Sequence, residues 1–109
     1  MRRGCSGLIG DANLYMVDAF IRDCGGRFLS SANEAGAVCM ALAYGQMSGT
    51  VGVASVTHGA AVTNTLTGRA HGVKARVPLL LLCGDTAFAD RDNFQNIPQR
   101  EAIVSTGAG

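Results

Sequence analysis

Short apolar runs alternate along this chain with stretches in which apolar residues recur at helical spacing. Gly7-Leu8-Ile9 reads as the end of a short strand, followed by Gly10. Asp11 or Asn13 can cap the next helix, which runs to about Cys24, because a short polar side chain accepts the free amides of a first turn. Leu14, Val17, Phe20 and Ile21 fall on one face of it. Gly25-Gly26 ends it, since glycine takes the left-handed conformation that a helix end favours. Arg27 to Ser30 predicts a strand, and Ser31 or Asn33 opens an Ala-rich helix through about Met47, closed by Gly49. Val51 to Val56 predicts a third strand and Gly59 to about Ala75 a third helix. Val77 to Cys83 is continuously apolar, the pattern of a strand buried on both faces. A loop then runs from Gly84 to Asn96, and Pro98 suits the first turn of a last short helix.

Strand and helix in this alternation imply an α/β fold, a three-layer α/β/α arrangement around a mostly parallel sheet. Ligands in such folds sit beyond the carboxyl ends of the strands. That rule singles out Leu8 to Asp11, Ser30 to Glu34, Thr57 to Ala61, and Gly84 onward. No repeat, low-complexity tract or linker interrupts the pattern, so residues 1–109 are read as one domain.

Composition narrows the picture. The chain is 48% hydrophobic and 16% charged, which excludes disorder. So little charge also suits a surface partly covered by other chains or by the rest of a larger protein. The net charge of +1 is scattered and aromatic residues are few, so nucleic acid is not an expected partner. The longest apolar run, Val77 to Cys83, is too short to span a bilayer. Met1-Arg2-Arg3 has no long apolar stretch behind it, so neither a signal peptide nor a membrane partner is expected. Cys5, Cys24, Cys39 and Cys83 form no CxxC pair and match no zinc framework. They are read as buried reduced thiols of a cytoplasmic protein, with no metal held by this chain.

Glu34 stands near the start of an otherwise apolar helix, straight after a strand end. Two readings are open for it. One is a carboxylate favoured by the helix dipole. The other is a proton-transfer group, since partial burial among Ala35, Gly36, Ala37 and Val38 favours the neutral form of a carboxyl. Thr57-His58-Gly59-Ala60-Ala61 is a strand-to-helix turn of mostly small residues, where a ligand can approach free amides. His58-Gly59 faintly resembles an esterase oxyanion turn, but the Gly-x-Ser-x-Gly elbow is absent. Lone histidines such as His58 and His71 are more often structural than ligands. The glycine-rich start, Gly4 to Gly10, fits no dinucleotide fingerprint, and the Gly-Lys-Ser/Thr of a P-loop is missing. Phe94-Gln95 lies in the loop after the last strand, either as an ordinary loop with Phe94 folded inward or as an amide presented to a substrate.

Taken in order, these segments resemble the N-terminal, pyrimidine-binding domain of the acetolactate synthase and pyruvate oxidase group of thiamine-diphosphate enzymes. The matching text is Gly7-Leu8-Ile9-Gly10, Asn33-Glu34-Ala35-Gly36-Ala37 through Ala43-Tyr44-Gly45, Val53 to Val56 with Thr57 through Asn64, Leu79 to Gly84, and Asp92-Asn93-Phe94-Gln95. The resemblance implies thiamine diphosphate as cofactor and a 2-oxo acid as substrate, decarboxylated or carboligated. It implies that Glu34 hydrogen-bonds ring nitrogen N1′ of the aminopyrimidine and so promotes loss of the cofactor's C2 proton. Ile9, Thr57, Gly59 and Ala60 would line the pyrimidine, Asn64 would support the turn, and Gln95 would reach the substrate. Glu34 and Gln95 are thus the expected catalytic residues. The family also implies a homodimer or higher oligomer, with each cofactor between the pyrimidine domain of one chain and the diphosphate domain of another.

Four positions depart from the family pattern. Ile9 and Ala60 replace prolines, Ala61 replaces a glycine, and Asn33 replaces the histidine before the glutamate. Losing a proline loosens a turn, and losing a glycine restricts positive φ. The diphosphate-binding domain and its magnesium ligands are not in the chain, nor are the family's first helix before Gly7 and a last strand. A partial domain, truncated at both ends and inactive alone, is therefore expected: a fragment or a degraded gene product. The alternative is a non-catalytic dimerisation module derived from such an enzyme. A third reading, a small nucleotide-binding α/β protein, is opposed by the missing phosphate motif.

Overall fold

The computed structural model describes residues 3–109, so the Met1-Arg2 part of the N-terminal reading lies outside the described residues. Strands β1 (Gly4–Gly7), β2 (Arg27–Ser30), β3 (Gly52–Val56) and β4 (Leu79–Cys83) form one sheet in the order β2-β1-β3-β4. All three pairings are parallel, with Ser6 beside both Leu29 and Ala54, and Ala54 beside Leu81. The fold is α/β, as the alternation predicts.

Winding direction explains the layers. From β1 the chain moves outward to β2, then crosses back over β1 to β3 and continues to β4. Right-handed crossovers running in opposite directions place their helices on opposite faces. Helix α1 (Leu14–Arg22) therefore lies on one face, and α2 (Glu34–Ser48) and α4 (Leu66–Ala75) on the other. Side chains alternate accordingly. Ala54, Leu79 and Leu81 pack with Val38, Ala41 and Leu42 of α2. Val56, Leu81 and Cys83 pack with Ala61 and Val62 of α3 (Ala60–Thr63) and with Ile103 of α5 (Gln99–Val104). Helix α2 approaches closely enough for the Ser6 hydroxyl to donate to the Ala37 carbonyl at 2.8 Å. The reversal falls at the carboxyl ends of β1 and β3, the switch point at which such sheets bind ligands.

Several details differ from the sequence reading. The helix expected from Gly59 to Ala75 is divided into α3 and α4. Thr65 folds its hydroxyl back onto the Val62 carbonyl at 2.6 Å, and its amide takes the same carbonyl at 3.1 Å, which tightens the chain into a turn. Strand β4 is not buried on both faces. It is the sheet edge among the described residues, and Leu80 is 49% exposed. Asn13 is buried, but it does not cap α1. Its side chain turns back to the sheet, donating to the Leu8 carbonyl and the Ser55 hydroxyl and accepting from the Gly10 amide. Of the apolar face of α1, Val17 alone is fully buried, while Leu14 and Ile21 stay exposed. Helix α1 covers its face of the sheet only in part and leaves an apolar cavity of about 500 Å³ against Cys5, Val53 and Leu82. The cysteines are free, but Cys24 and Cys39 are exposed, so the expectation of buried thiols holds for Cys5 and partly for Cys83. Among the described residues no helix is long and apolar enough to cross a membrane.

Candidate functional site

Glu34 is the first residue of α2, just past the carboxyl end of β2. Asn33 precedes it in extended conformation and accepts a hydrogen bond from the Gly36 amide at 2.8 Å. The residue that departs from the family's histidine is therefore a helix cap. It fixes where the helix begins and so where the Glu34 side chain leaves it. The carboxylate is half-buried and sits at the positive end of a 15-residue helix. Asn64 Nδ2, thirty positions on, donates to Glu34 Oε2 at 3.0 Å. Among the described residues, Glu34 Oε1 takes part in no hydrogen bond or ion pair.

The break between α3 and α4 makes this contact possible. Asn64 is the C-cap of α3, and the turn that follows swings its side chain towards α2. Sequence reading expects Asn64 to brace the 57–61 turn. In the structure its main-chain amide donates to the Ala60 carbonyl at 3.0 Å, and its side chain is tied to the carboxylate itself.

Other groups brace that turn as well. Gly59 is buried with φ 67° and ψ −122°, and a side chain there would strike the Gln95 carbonyl. Its amide donates to Gln99 Oε1 at 3.0 Å, while Gln99 Nε2 donates to the Gly84 carbonyl at 2.7 Å. Gln99 thus bridges the 57–61 turn to the end of β4. Sequence reasoning passed it over because it follows Pro98 in an ordinary-looking helix start. The one signal was a second glutamine close behind Gln95. Gln95 lies against Gly59 through its main chain. Phe94 is 94% exposed, so it does not fold inward.

Thr57 and Ile9 lie just past the carboxyl ends of β3 and β1. The Thr57 hydroxyl accepts from the Ala12 amide at 3.1 Å and meets His58 Nδ1 at 3.2 Å. Gly10 packs against the Thr57 side chain so closely that no side chain fits at position 10. Ile9 is half-exposed beside this clamp. His58 is buried and serves the clamp, while His71 is exposed on α4. Ala60 is exposed and Ala61 buried, both inside α3. Neither has a positive φ, so replacing the family's glycine with Ala61 brings no backbone strain. Among the described residues no group of three His, Cys, Asp or Glu side chains could hold a metal ion.

A parallel sheet with a switch point between β1 and β3, and a carboxylate aligned beyond its strand ends by an amide from a different helix, define the class as an α/β domain of the kind that binds ligands at that edge. The chain belongs to the family described as thiamine pyrophosphate enzyme, N-terminal TPP binding domain, whose model matches residues 3–105. Its cofactor is thiamine pyrophosphate, that is, thiamine diphosphate. The residues present fit the pyrimidine end of that molecule, because Glu34 offers a carboxyl oxygen without a partner among the described residues, which can share a proton with a ring nitrogen. Over 75 residues the chain is 41% identical to 2-hydroxyacyl-CoA lyase 2 of Xenopus laevis and 43% identical to that of Danio rerio. It is 40% identical to the Homo sapiens protein over the same length. Each match covers 67% of this chain but 12% of the relative, so the chain spans about an eighth of the curated relatives it matches.

Proposed function

We propose that this domain binds the aminopyrimidine of thiamine diphosphate and activates it through Glu34, as part of a larger carbon–carbon bond-cleaving or bond-forming enzyme. The observation that carries the reading is the Asn64-to-Glu34 hydrogen bond, which occupies Oε2 and leaves Oε1 free at the carboxyl edge of the sheet. When bound, the cofactor supplies an electron sink for breaking a bond next to a carbonyl. Oε1 of Glu34 holds a proton shared with N1′ of the pyrimidine. Asn64 keeps the carboxylate from rotating away. Ile9, Thr57, Gly59 and Ala60 form the wall against the ring, and Gln95 reaches towards the substrate.

The substrate is a 2-oxo acid in the acetolactate synthase-like reading. The names of the relatives add a 2-hydroxyacyl thioester as a second candidate of the same carbon–carbon chemistry. In the assembled enzyme a diphosphate domain of another chain holds magnesium and the far end of the cofactor. Glu34→Gln, made in a polypeptide that also carries a diphosphate-binding domain, tests this. Turnover is expected to fall roughly 10²-fold or more with an unchanged circular dichroism spectrum. Retained turnover would remove Glu34 from the mechanism. The second reading, a dimerisation module without cofactor chemistry, draws on the departures at Ile9, Ala60 and Ala61. It requires that the purified chain show no heat on titration with thiamine diphosphate.

A further inference from the structure

Ile9 is set in place by a neighbour and not by its own peptide groups. It stands just past β1, 46% exposed, at a position where the family pattern has a proline. Among the described residues neither its amide nor its carbonyl takes part in a hydrogen bond. The peptide groups before and after it are both held by one side chain, that of Asn13. Asn13 Nδ2 donates to the Leu8 carbonyl at 3.1 Å, and Asn13 Oδ1 accepts from the Gly10 amide at 2.7 Å. Nδ2 also donates to the Ser55 hydroxyl at 3.0 Å, which anchors the arrangement on β3. Asn13 is 2% exposed and Ser55 is fully buried.

Only an amide serves this position. The Leu8 carbonyl can only accept and the Gly10 N–H can only donate, so the two contacts need one donor and one acceptor from the same side chain. They also fix which way the Asn13 amide points. An ionised aspartate lacks the donor, and an apolar residue lacks both. Because each peptide group is planar, holding the one before and the one after Ile9 fixes both its φ and its ψ. A proline reaches part of the same end through its ring, which locks φ. Thr57 ties down the loop further on, where Gly10 packs against its side chain and the Ala12 amide donates to its hydroxyl. Among the described residues, Asn13 alone grips both sides of Ile9.

We propose that Asn13 is a positioning residue of the cofactor site, holding Ile9 where it meets the aminopyrimidine and standing in for the ring of a proline. This rests on the reading of Ile9 as part of the wall against the pyrimidine. Asn13 itself is buried behind the loop and touches no ligand. Its effect is to keep the wall in one conformation before the cofactor arrives, so that binding does not have to order it.

The test uses the purified, isotope-labelled chain. Nuclear magnetic relaxation reads the order of the Gly10 amide, and shift changes follow a titration with thiamine diphosphate. In the parent the Gly10 order parameter is expected at about 0.85, that of rigid backbone. Asn13→Ala is expected to lower it below roughly 0.6. Binding is expected to weaken roughly tenfold, as for a loop in place about a tenth of the time. Asn13→Asp keeps an acceptor for Gly10 but loses the donor to Leu8, and is expected to act in the same direction; it decides the matter should the Ala variant not fold. Adding Ile9→Pro to either variant is expected to restore most of the affinity, since the ring fixes φ and the Ile9 amide has no hydrogen bond to lose. In the parent the same change is expected to gain less than about twofold, because Asn13 already holds those angles and the two sites are coupled. A general loss of stability at position 13 would not be mended selectively by a change at position 9. The proposal is overturned if Gly10 stays ordered without Asn13, if binding is unchanged when Gly10 loosens, or if Ile9→Pro gives the same gain with and without Asn13. It is also overturned if both position-13 variants fail to fold even with Ile9→Pro. Absence of saturable binding by the parent removes the cofactor reading itself and this role with it, a failure told apart from the others because it appears before any variant is made.

Discussion

Gly59 is the residue on which most of the local geometry turns. Its φ of 67° with ψ of −122° is a conformation that side chains rarely adopt, and its missing Cβ makes room for the Gln95 carbonyl. Gly59→Ala is expected to cost about 1–3 kcal/mol in backbone strain, with the collision added to that. Urea unfolding followed by circular dichroism would read the loss, and an unchanged midpoint would remove Gly59 from this role. The neighbouring chemistry was only half legible in the chain. Glu34 stands out in sequence because a carboxylate opens an apolar helix. Its alignment by Asn64 does not, since nothing local says that a side chain thirty residues on returns to it.

Helix α2 shows how far local rules reach. Asn33, one of the two openers the sequence offers, caps its start, and Gly49, at φ 69°, closes it as the sequence predicts. Asn33→Ala is expected to lower stability by about 1 kcal/mol, because the Gly36 amide loses its acceptor. Hydrogen exchange at Gly36 should quicken, and unchanged protection there would argue against the cap. The 59–75 segment shows where local rules stop. Its residues carry no strong breaker between Ala60 and Ala75, and one helix is the natural reading. Thr65 divides it by a back-bond to Val62, buried against the rest of the fold. The edge position of β4 is of the same kind, for an apolar run looks alike at an edge and in the middle of a sheet.

For the molecule as a whole, pH reports on buried thiols. Burial raises the pKa of Cys5. Burial also raises that of Cys83, with Asp85 adding to the rise and Arg69 opposing it. The folded chain therefore holds these protons to higher pH than the unfolded chain does. This contribution to stability is complete below the ordinary thiol range of about 8.5 and declines as pH climbs above it towards the raised folded values. Cys5→Ala is expected to flatten the decline, measured as urea midpoints at about pH 7.5 and about pH 10. An identical slope in the variant would place the alkaline loss elsewhere.

The strand and helix alternation, the Gly49 close of α2, the candidate glutamate and the class of fold were all determined by the sequence alone. Each depends on periodicity and on residue types within a few positions of one another. The order β2-β1-β3-β4, the Asn64-to-Glu34 bond, the bridge through Gln99 and the Asn13-to-Ser55 bond were decided only by the tertiary structure. All of these join residues distant along the chain, and such pairings exist only once packing has brought the segments together.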